Sequence, residues 1–303
     1  MLTAFAHPSC KGILFRSDYA LREAEEWIKR LEFDLLGSSF MAKSHVLYPA
    51  QKPCGPDIVS HKWRQDSPLR VVFCGHDYET KNGAMALRIL SKVAQDLRVT
   101  CIYVGHIPRA EKGRCSDLLK NLEVFESIPR PTILKMFSEA HVLFHPSKFE
   151  GLGTVLLEAA AAAMAVVVGR GRGMSHINEV FGDDGALYVD RDFVEPEDEE
   201  RAFEHGLRFV LDNRSVAREM ATRNYHTAVS GRYSLDRRDK VLNNVYGEIL
   251  DAPASRPLEL VELPHTIPHA IKSLTSAQVR EDEKVYKARL GLKQDRLLIE
   301  TNR

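Results

Sequence analysis

The chain has 303 residues, 44% of them hydrophobic, with 42 basic and 42 acidic side chains. That length accommodates one large domain or two ordinary ones around a sizeable core, and the balanced charge argues against bulk binding to nucleic acid or an anionic membrane while leaving room for a local basic pocket. Five cysteines without a C-x-x-C pair fit a reducing cytoplasm, no run reaches the roughly 20 apolar residues of a membrane span, and the first residues lack a signal-peptide pattern.

In chain order, Gly12–Phe15 (G-I-L-F) predicts a short strand. Ser17 is an N-cap for a helix carrying Leu21, Ala24, Trp27, Ile28 and Leu31. Phe33–Gly37 follows, then a second strand, Ser44–Pro49 (S-H-V-L-Y-P), stopped by its proline. Pro53, Gly55 and Pro56 mark a linker. From Pro68 strands and helices alternate. Strands are predicted at Leu69–Cys74, Val99–Val104, Leu122–Ile128, Ala140–Phe144, Ala165–Val168 and Ala186–Val189, with helices at Ala84–Leu97, Pro131–Glu139 and Thr154–Ala163. Short, almost wholly apolar strands separated by helices predict an α/β fold, a parallel sheet covered on both faces. Ligands of such sheets bind at the carboxyl ends of the strands. Residues 194–230 read as surface helices, and Leu235–Leu250 as an amphipathic helix with Leu242, Val245, Tyr246 and Ile249 in step. The tail, 252–303, has four prolines and then a charged helical stretch.

The chemistry concentrates in Ala140–Glu158, A-H-V-L-F-H-P-S-K-F-E-G-L-G-T-V-L-L-E. Gly151 and Gly153 bracket a turn that needs positive φ or close approach of the backbone to something else. The helix beginning at Thr154 presents unpaired N–H groups and the positive end of its dipole, a favourable place for an anion. Glu150 precedes the turn. Glu158 lies one helical turn inside, roughly 6 Å along the axis from Thr154. This suits a phosphate at the helix end with hydroxyls further along, as in a nucleotide. The plainer alternative is a loop carboxylate and a solvated helix residue. In G-H-D-Y-E-T-K-N-G, Gly75–Gly83, Lys81 stands at a helix start. A cation there opposes the dipole by about 0.3–1 kcal/mol unless an anion intervenes; the alternative is a solvated lysine. G-R-G-R-G, Gly169–Gly173, is either a phosphate contact or a mobile surface loop. The histidines show no metal-ligand spacing, and His145 and His176 read as packed or surface residues.

P-S-x-x-E-G-x-G-x-x-x-x-E-A, Pro146–Ala159, resembles the E-x7-E signature of retaining glycosyltransferases of the two-domain GT-B fold, family four especially. The resemblance implies a Rossmann-like C-terminal domain that binds a UDP-, GDP- or ADP-linked sugar. Glu150 would face the transferred sugar and Glu158 the ribose hydroxyls, with the turn Gly151, Leu152, Gly153 and Thr154 between them. Lys81 would clamp the donor pyrophosphate, as in the family's G-x-D-W-x-x-K-G-G, on a loop that includes Gly75 and His76. Ile128 to Arg130 match the segment that holds the nucleobase through its main chain. His76 replaces a common arginine and is a weaker pyrophosphate partner than a guanidinium. Asn82 replaces a glycine. Ala163 and Ala165 replace the glycine and proline of E-A-M-A-x-G-x-P-V-V, which predicts a longer or differently ended helix.

The same resemblance divides the chain. Residues 1–65, with C-K-x-I-x-x-x-S and V-x-Y-P, match the end of an N-terminal domain and its hinge. Residues 66–230 match the donor-binding domain, and 231–303 a crossover helix and a charged tail. Most of the N-terminal domain, which holds the acceptor in this family, has no counterpart. The implied function is hexosyl transfer with retention to an unknown acceptor, in a truncated enzyme or one completed by a partner chain or self-association. The alternative is a non-catalytic nucleotide-sugar-binding or scaffold module. No cofactor or metal is expected: Lys81 would serve the leaving diphosphate, which itself takes the acceptor proton.

Overall fold

Six short strands, apolar on both sides, make one sheet because each can bury alternate side chains under helices on opposite faces. In the computed structural model the described residues are Phe5 and 10–30, 34–64, 67–96, 98–171, 173–174, 176–191 and 195–251. The chain divides into two compact units, Met1–Ala254 and Ser255–Arg303. The second unit, the expected tail, Leu31, Leu97 and Arg172 lie outside the described residues.

The first segment contains β1 (Ile13–Phe15), α1 (Asp18–Arg30), α2 (Asp34–Met41) and β2 (Ser44–Val46). β1 and β2 pair in parallel, Ile13 opposite Ser44 and Phe15 opposite Val46. Ser17 caps α1 as expected, its Oγ accepting the Ala20 N–H at 3.0 Å. Trp27, however, is half exposed, whereas Ile28 is buried.

The second segment begins with α3 (Ile58–Lys62) and continues β3 (Leu69–Cys74), α4 (Gly83–Val93), β4 (Val99–Val104), α5 (Arg109–Arg114), α6 (Ser116–Leu119) and β5 (Glu123–Phe125). Then come α7 (Arg130–Glu139), β6 (Val142–His145), α8 (Thr154–Ala161), β7 (Ala165–Arg170), α9 (Ile177–Phe181), β8 (Leu187–Asp190), α10 (Pro196–Asp212), α11 (Arg214–Val229) and α12 (Leu235–Asp251). The sheet order is β5-β4-β3-β6-β7-β8, every pair parallel. β5 is shorter than the predicted Leu122–Ile128: it is an edge strand paired only with β4.

Strand alternation sorts the core into two layers. Val71, Phe73, Cys101, Tyr103, Val142, Phe144 and Val167 pack with α4, α10 and α11. Val72, Ile102, Val104, Leu143, Val166 and Val168 pack with α7, α8 and α9 on the other face. Each fully buried Val, Leu or Phe contributes about 1.5–3 kcal/mol, so these two layers dominate the stability of the sheet. The helices of 194–230 are not merely superficial. Phe203, Leu207, Val210, Ala217 and Ala221 are almost fully buried. In α12 Val245 is buried, but Tyr246 is 56% exposed and off the packed face.

Helix α8 ends two residues earlier than the predicted Ala163. Ala163 takes φ +54°, a left-handed conformation. The Ala163 N–H reaches the Ala160 carbonyl and the Met164 N–H the Ala159 carbonyl, each at 3.0 Å. This is a Schellman termination, with alanine at the position that glycine favours. Trp63 Nε1 donates to Ala163 O at 3.0 Å, and Lys62 Nζ donates to Ala162 O. α3 thus holds the strained exit of α8.

The two segments meet at α9. The Glu179 carboxylate accepts the N–H groups of Asp18 and Tyr19 at 2.7 and 2.9 Å. A carboxylate there satisfies orphan donors and favours the helix dipole. Tyr48 donates to this group, and the Arg232 guanidinium lies 5.1 Å from the Tyr48 ring centroid. At the other end of β1, a Cβ built on Gly12 would lie 3.0 Å from Ile249 of α12.

Candidate functional site at the sheet switch point

β3 and β6 are neighbours in the sheet, and the chain winds away from them in opposite directions. Their carboxyl ends therefore open a crevice that helices do not close. The loop after β3 is built by Asp77, whose Oδ1 accepts the Thr80 N–H at 2.9 Å. That hydrogen bond is the main cause holding its carboxyl below the usual range. Asn82 closes the loop with φ +57°. Asparagine tolerates this conformation better than most residues, so the loss of glycine leaves the loop shape intact.

The loop after β6 is stitched to it. The Lys148 N–H donates to Thr80 O at 2.8 Å, and Ser147 Oγ to the same carbonyl at 3.2 Å. These bonds bring Lys81 to Glu150, Nζ to Oε1 at 2.5 Å. Gly75 is needed for that approach, since a Cβ there would stand 2.7 Å from Lys81 Cγ. The β7 loop joins through the Glu150 N–H, which donates to Gly173 O at 3.2 Å.

Neither glutamate is solvated. Glu150 and Glu158 are each 8% exposed, so Glu158 is not the solvated helix residue of the plainer reading. Burial is the largest influence on the Glu150 carboxyl and raises it, but the bonds and charges of His145 and Lys81 together outweigh burial and hold it well below the usual carboxylate range. Glu158 goes the other way. Burial pushes it up, and the Arg130 guanidinium at 2.7 Å offsets only part of that. Burial, then the nearby Glu158 charge, pushes the Cys74 thiol to about 12.

The other residues of the turn divide. Gly153 has φ +70° and supplies the N-cap of α8. Gly151 and Thr154 are exposed at the helix entrance. Leu152 is buried in the core beneath, so only its main chain faces the crevice. The Ile128 side chain likewise packs on the core. His76 is exposed on the β3 loop and makes no hydrogen bond or ion pair with this cluster. Arg170 of the glycine-rich loop is the last residue of β7. It turns to Asp190 at 3.7 Å and lies 5.4 Å from the Tyr188 ring centroid.

Two participants were not legible in the sequence. His145, read as a packed or surface residue, is fully buried, but its Nε2 lies 2.7 Å from Glu150 Oε1. Arg130 is the guanidinium that reaches Glu158. Only their positions at the end of one strand and the start of one helix hinted at either. Among the described residues no group of three or more His, Cys, Asp or Glu side chains is placed to hold a metal.

A parallel sheet of this order, with charged side chains gathered at its switch point, defines a doubly wound, Rossmann-like α/β domain. Residues 58–227, more than half of the chain, match the family "Glycosyl transferases group 1", and the chain belongs to that family. Its fold is that of the GT-B glycosyltransferases. WaaG, a glycosyltransferase involved in lipopolysaccharide biosynthesis, is 19% identical with a TM-score of 0.53, over 77% of this chain and 62% of WaaG. A glycosyltransferase from Rickettsia africae is 15% identical with a TM-score of 0.58, over 80% of this chain and 64% of its own. Anabaena HepE, solved with UDP and glucose, is 14% identical with a TM-score of 0.55, over 80% of this chain and 63% of its own. The chain thus spans less than two thirds of each of these structures. No curated protein matches it in sequence.

Proposed function

We propose that this chain carries the donor half of a retaining glycosyltransferase of the family-four kind, moving a hexose from a nucleotide sugar to an acceptor. The observation that supports this best is the convergence of Lys81 and Glu150, with Glu158 buried nearby on α8, at the switch point. The diphosphate would lie between Lys81 and the first turn of α8, where fixed charge and open N–H groups stabilise the leaving group. Glu158 would take the ribose hydroxyls and Glu150 the sugar hydroxyls. The acceptor oxygen attacks the anomeric carbon from the face that the diphosphate leaves. Its proton passes to a diphosphate oxygen, so one C–O bond replaces another with retention. No divalent metal is required in this scheme. With His76 in place of arginine, the donor clamp rests on Lys81 and α8.

The acceptor side would come from a partner chain, a second copy, or sequence beyond this stretch, working in the cytoplasm. Titration of the purified chain with UDP, GDP and ADP by calorimetry tests the donor site. Micromolar binding of one nucleotide, lost in Lys81→Ala and Glu158→Ala, is expected; no binding of any of the three overturns the reading. One observation favours a second reading, a non-catalytic nucleotide-sugar module: Lys81 and Glu158 are already paired, with Glu150 and Arg130. Nucleotide binding without sugar release or transfer in any mixture would favour it.

A further inference from the structure

Glu150 Oε1 accepts two hydrogen bonds, from Lys81 Nζ at 2.5 Å and from His145 Nε2 at 2.7 Å. Both fall on one oxygen and leave Oε2 for a sugar hydroxyl. An ionised carboxylate only accepts, so the imidazole proton of that bond sits on Nε2. His145 is fully buried, and its Nδ1 has no hydrogen-bond partner among the described residues. Among those residues, the side chain's one hydrogen bond is therefore with Glu150. Another titratable group that feels the Glu150 charge is His176, 4% exposed at the entrance to α9.

Lys81 faces two demands. In this structure it neutralises Glu150. In the proposed function, on which this inference rests, it must serve the incoming diphosphate. A carboxylate left buried without a partner is costly, and a cation that alone compensates it is not free to leave. We propose that His145 is a positioning residue: its Nε2–H holds the Glu150 carboxylate in place and ionised, which releases Lys81 to the diphosphate of the donor. His145 gives up no proton and touches no substrate. A histidine kept for packing alone would be replaceable by an apolar side chain of similar size. A histidine that positions Glu150 is replaceable only by a side chain that keeps the N–H.

The test uses the full chain labelled with ¹³C at the glutamate carboxyls, with Glu150→Gln to assign the Glu150 signal. The parent, His145→Gln and His145→Leu are titrated by NMR, with His145→Phe as a second apolar variant should the leucine variant not fold. The Glu150 midpoint is expected to rise by about one pH unit or more in the apolar variants, because a hydrogen bond to the charged form is lost. In His145→Gln it stays near the parent. Calorimetry with UDP, GDP and ADP is run on the same proteins. The affinity for the bound nucleotide is expected to fall about tenfold in His145→Leu and to recover in His145→Gln, and the loss is absent when both chains compared carry Glu150→Gln. A midpoint common to all variants, a glutamine variant as impaired as the leucine one, or a loss that persists with Glu150→Gln overturns the proposal. If the parent binds none of the three nucleotides, the donor reading fails and the release of Lys81 with it. The hold of His145 on Glu150 is still decided by the carboxyl titration.

Discussion

The two ends of β6 each place a histidine near a lysine, and they differ in what those side chains bond to. At the amino end, Lys62 Nζ donates to the carbonyls of Phe137, at 2.9 Å, and Ala162. His141 bridges the Lys62 carbonyl at 2.9 Å and the Arg70 N–H at 3.2 Å. These partners are main chain. Burial pushes Lys62 down to about 7 and His141 down to about 4. The cleft beside them is lined by Arg70, Glu123 and Glu139, but Arg70 already pairs with both glutamates, at 3.7 and 3.0 Å. At the carboxyl end, the side chains of Lys81 and His145 both bond to the Glu150 carboxylate. Carbonyls at helix ends cannot move aside without unwinding a helix, whereas a side-chain ion pair can be exchanged for a ligand. The amino end is a clamp; the carboxyl end is the candidate site.

The largest effect that would sharpen this contrast is on chemistry. Glu150→Ala should lower sugar transfer by about 10²–10³-fold, in the range of lost transition-state contacts, while nucleotide affinity changes little. Steady-state kinetics with nucleotide release as the readout decide it, and equal turnover in variant and parent removes Glu150 from the mechanism.

At the clamp the expected effect is on stability alone. Lys62→Ala leaves two carbonyls without their buried donor and should cost about 1–3 kcal/mol, measured as the shift of the urea midpoint. An unchanged midpoint would break the distinction between the two ends.

Acid should act on the clamp as well. The folded chain holds His141 down to about 4, so the unfolded chain takes up the proton first as pH falls below its ordinary 6.5. Stability from this group is complete above 6.5 and is lost as pH falls through 4, about 3 kcal/mol in all. His141→Gln should flatten the melting temperature across that window; a parent curve already flat there contradicts the assignment.

The smallest effect is a gain. Ala163→Gly relieves a left-handed alanine and should raise stability by about 1 kcal/mol, seen in the same urea experiment. A loss would mean that Trp63 and Lys62 do not hold the residue where it is strained.

The fold was legible because its signals are local. The strands of the large sheet carry mostly apolar runs, and their predicted limits lie within about two residues of those found everywhere except β5. There an edge strand buries too little to mark its ends. Glu150, Gly153 and Glu158 were legible for a similar reason, since their spacing across one turn and one helix needs no distant partner. The exposure of Tyr246 was not, because the periodicity of a helix does not say which part of its apolar face another element will cover.

The amino-acid sequence by itself determined the alternation of strand and helix, the glycine turn with its two flanking glutamates, and the residue types at the loop ends. Tertiary structure alone decided what those carboxylates bond to. Lys81 and Glu150 are 69 positions apart and meet because β3 lies beside β6. Arg130 reaches Glu158 because α7 and α8 pack on the same face of the sheet. The reason is physical: the pattern of burial along a segment is set by that segment, but the partner of a buried charge is set by which segments the sheet brings together.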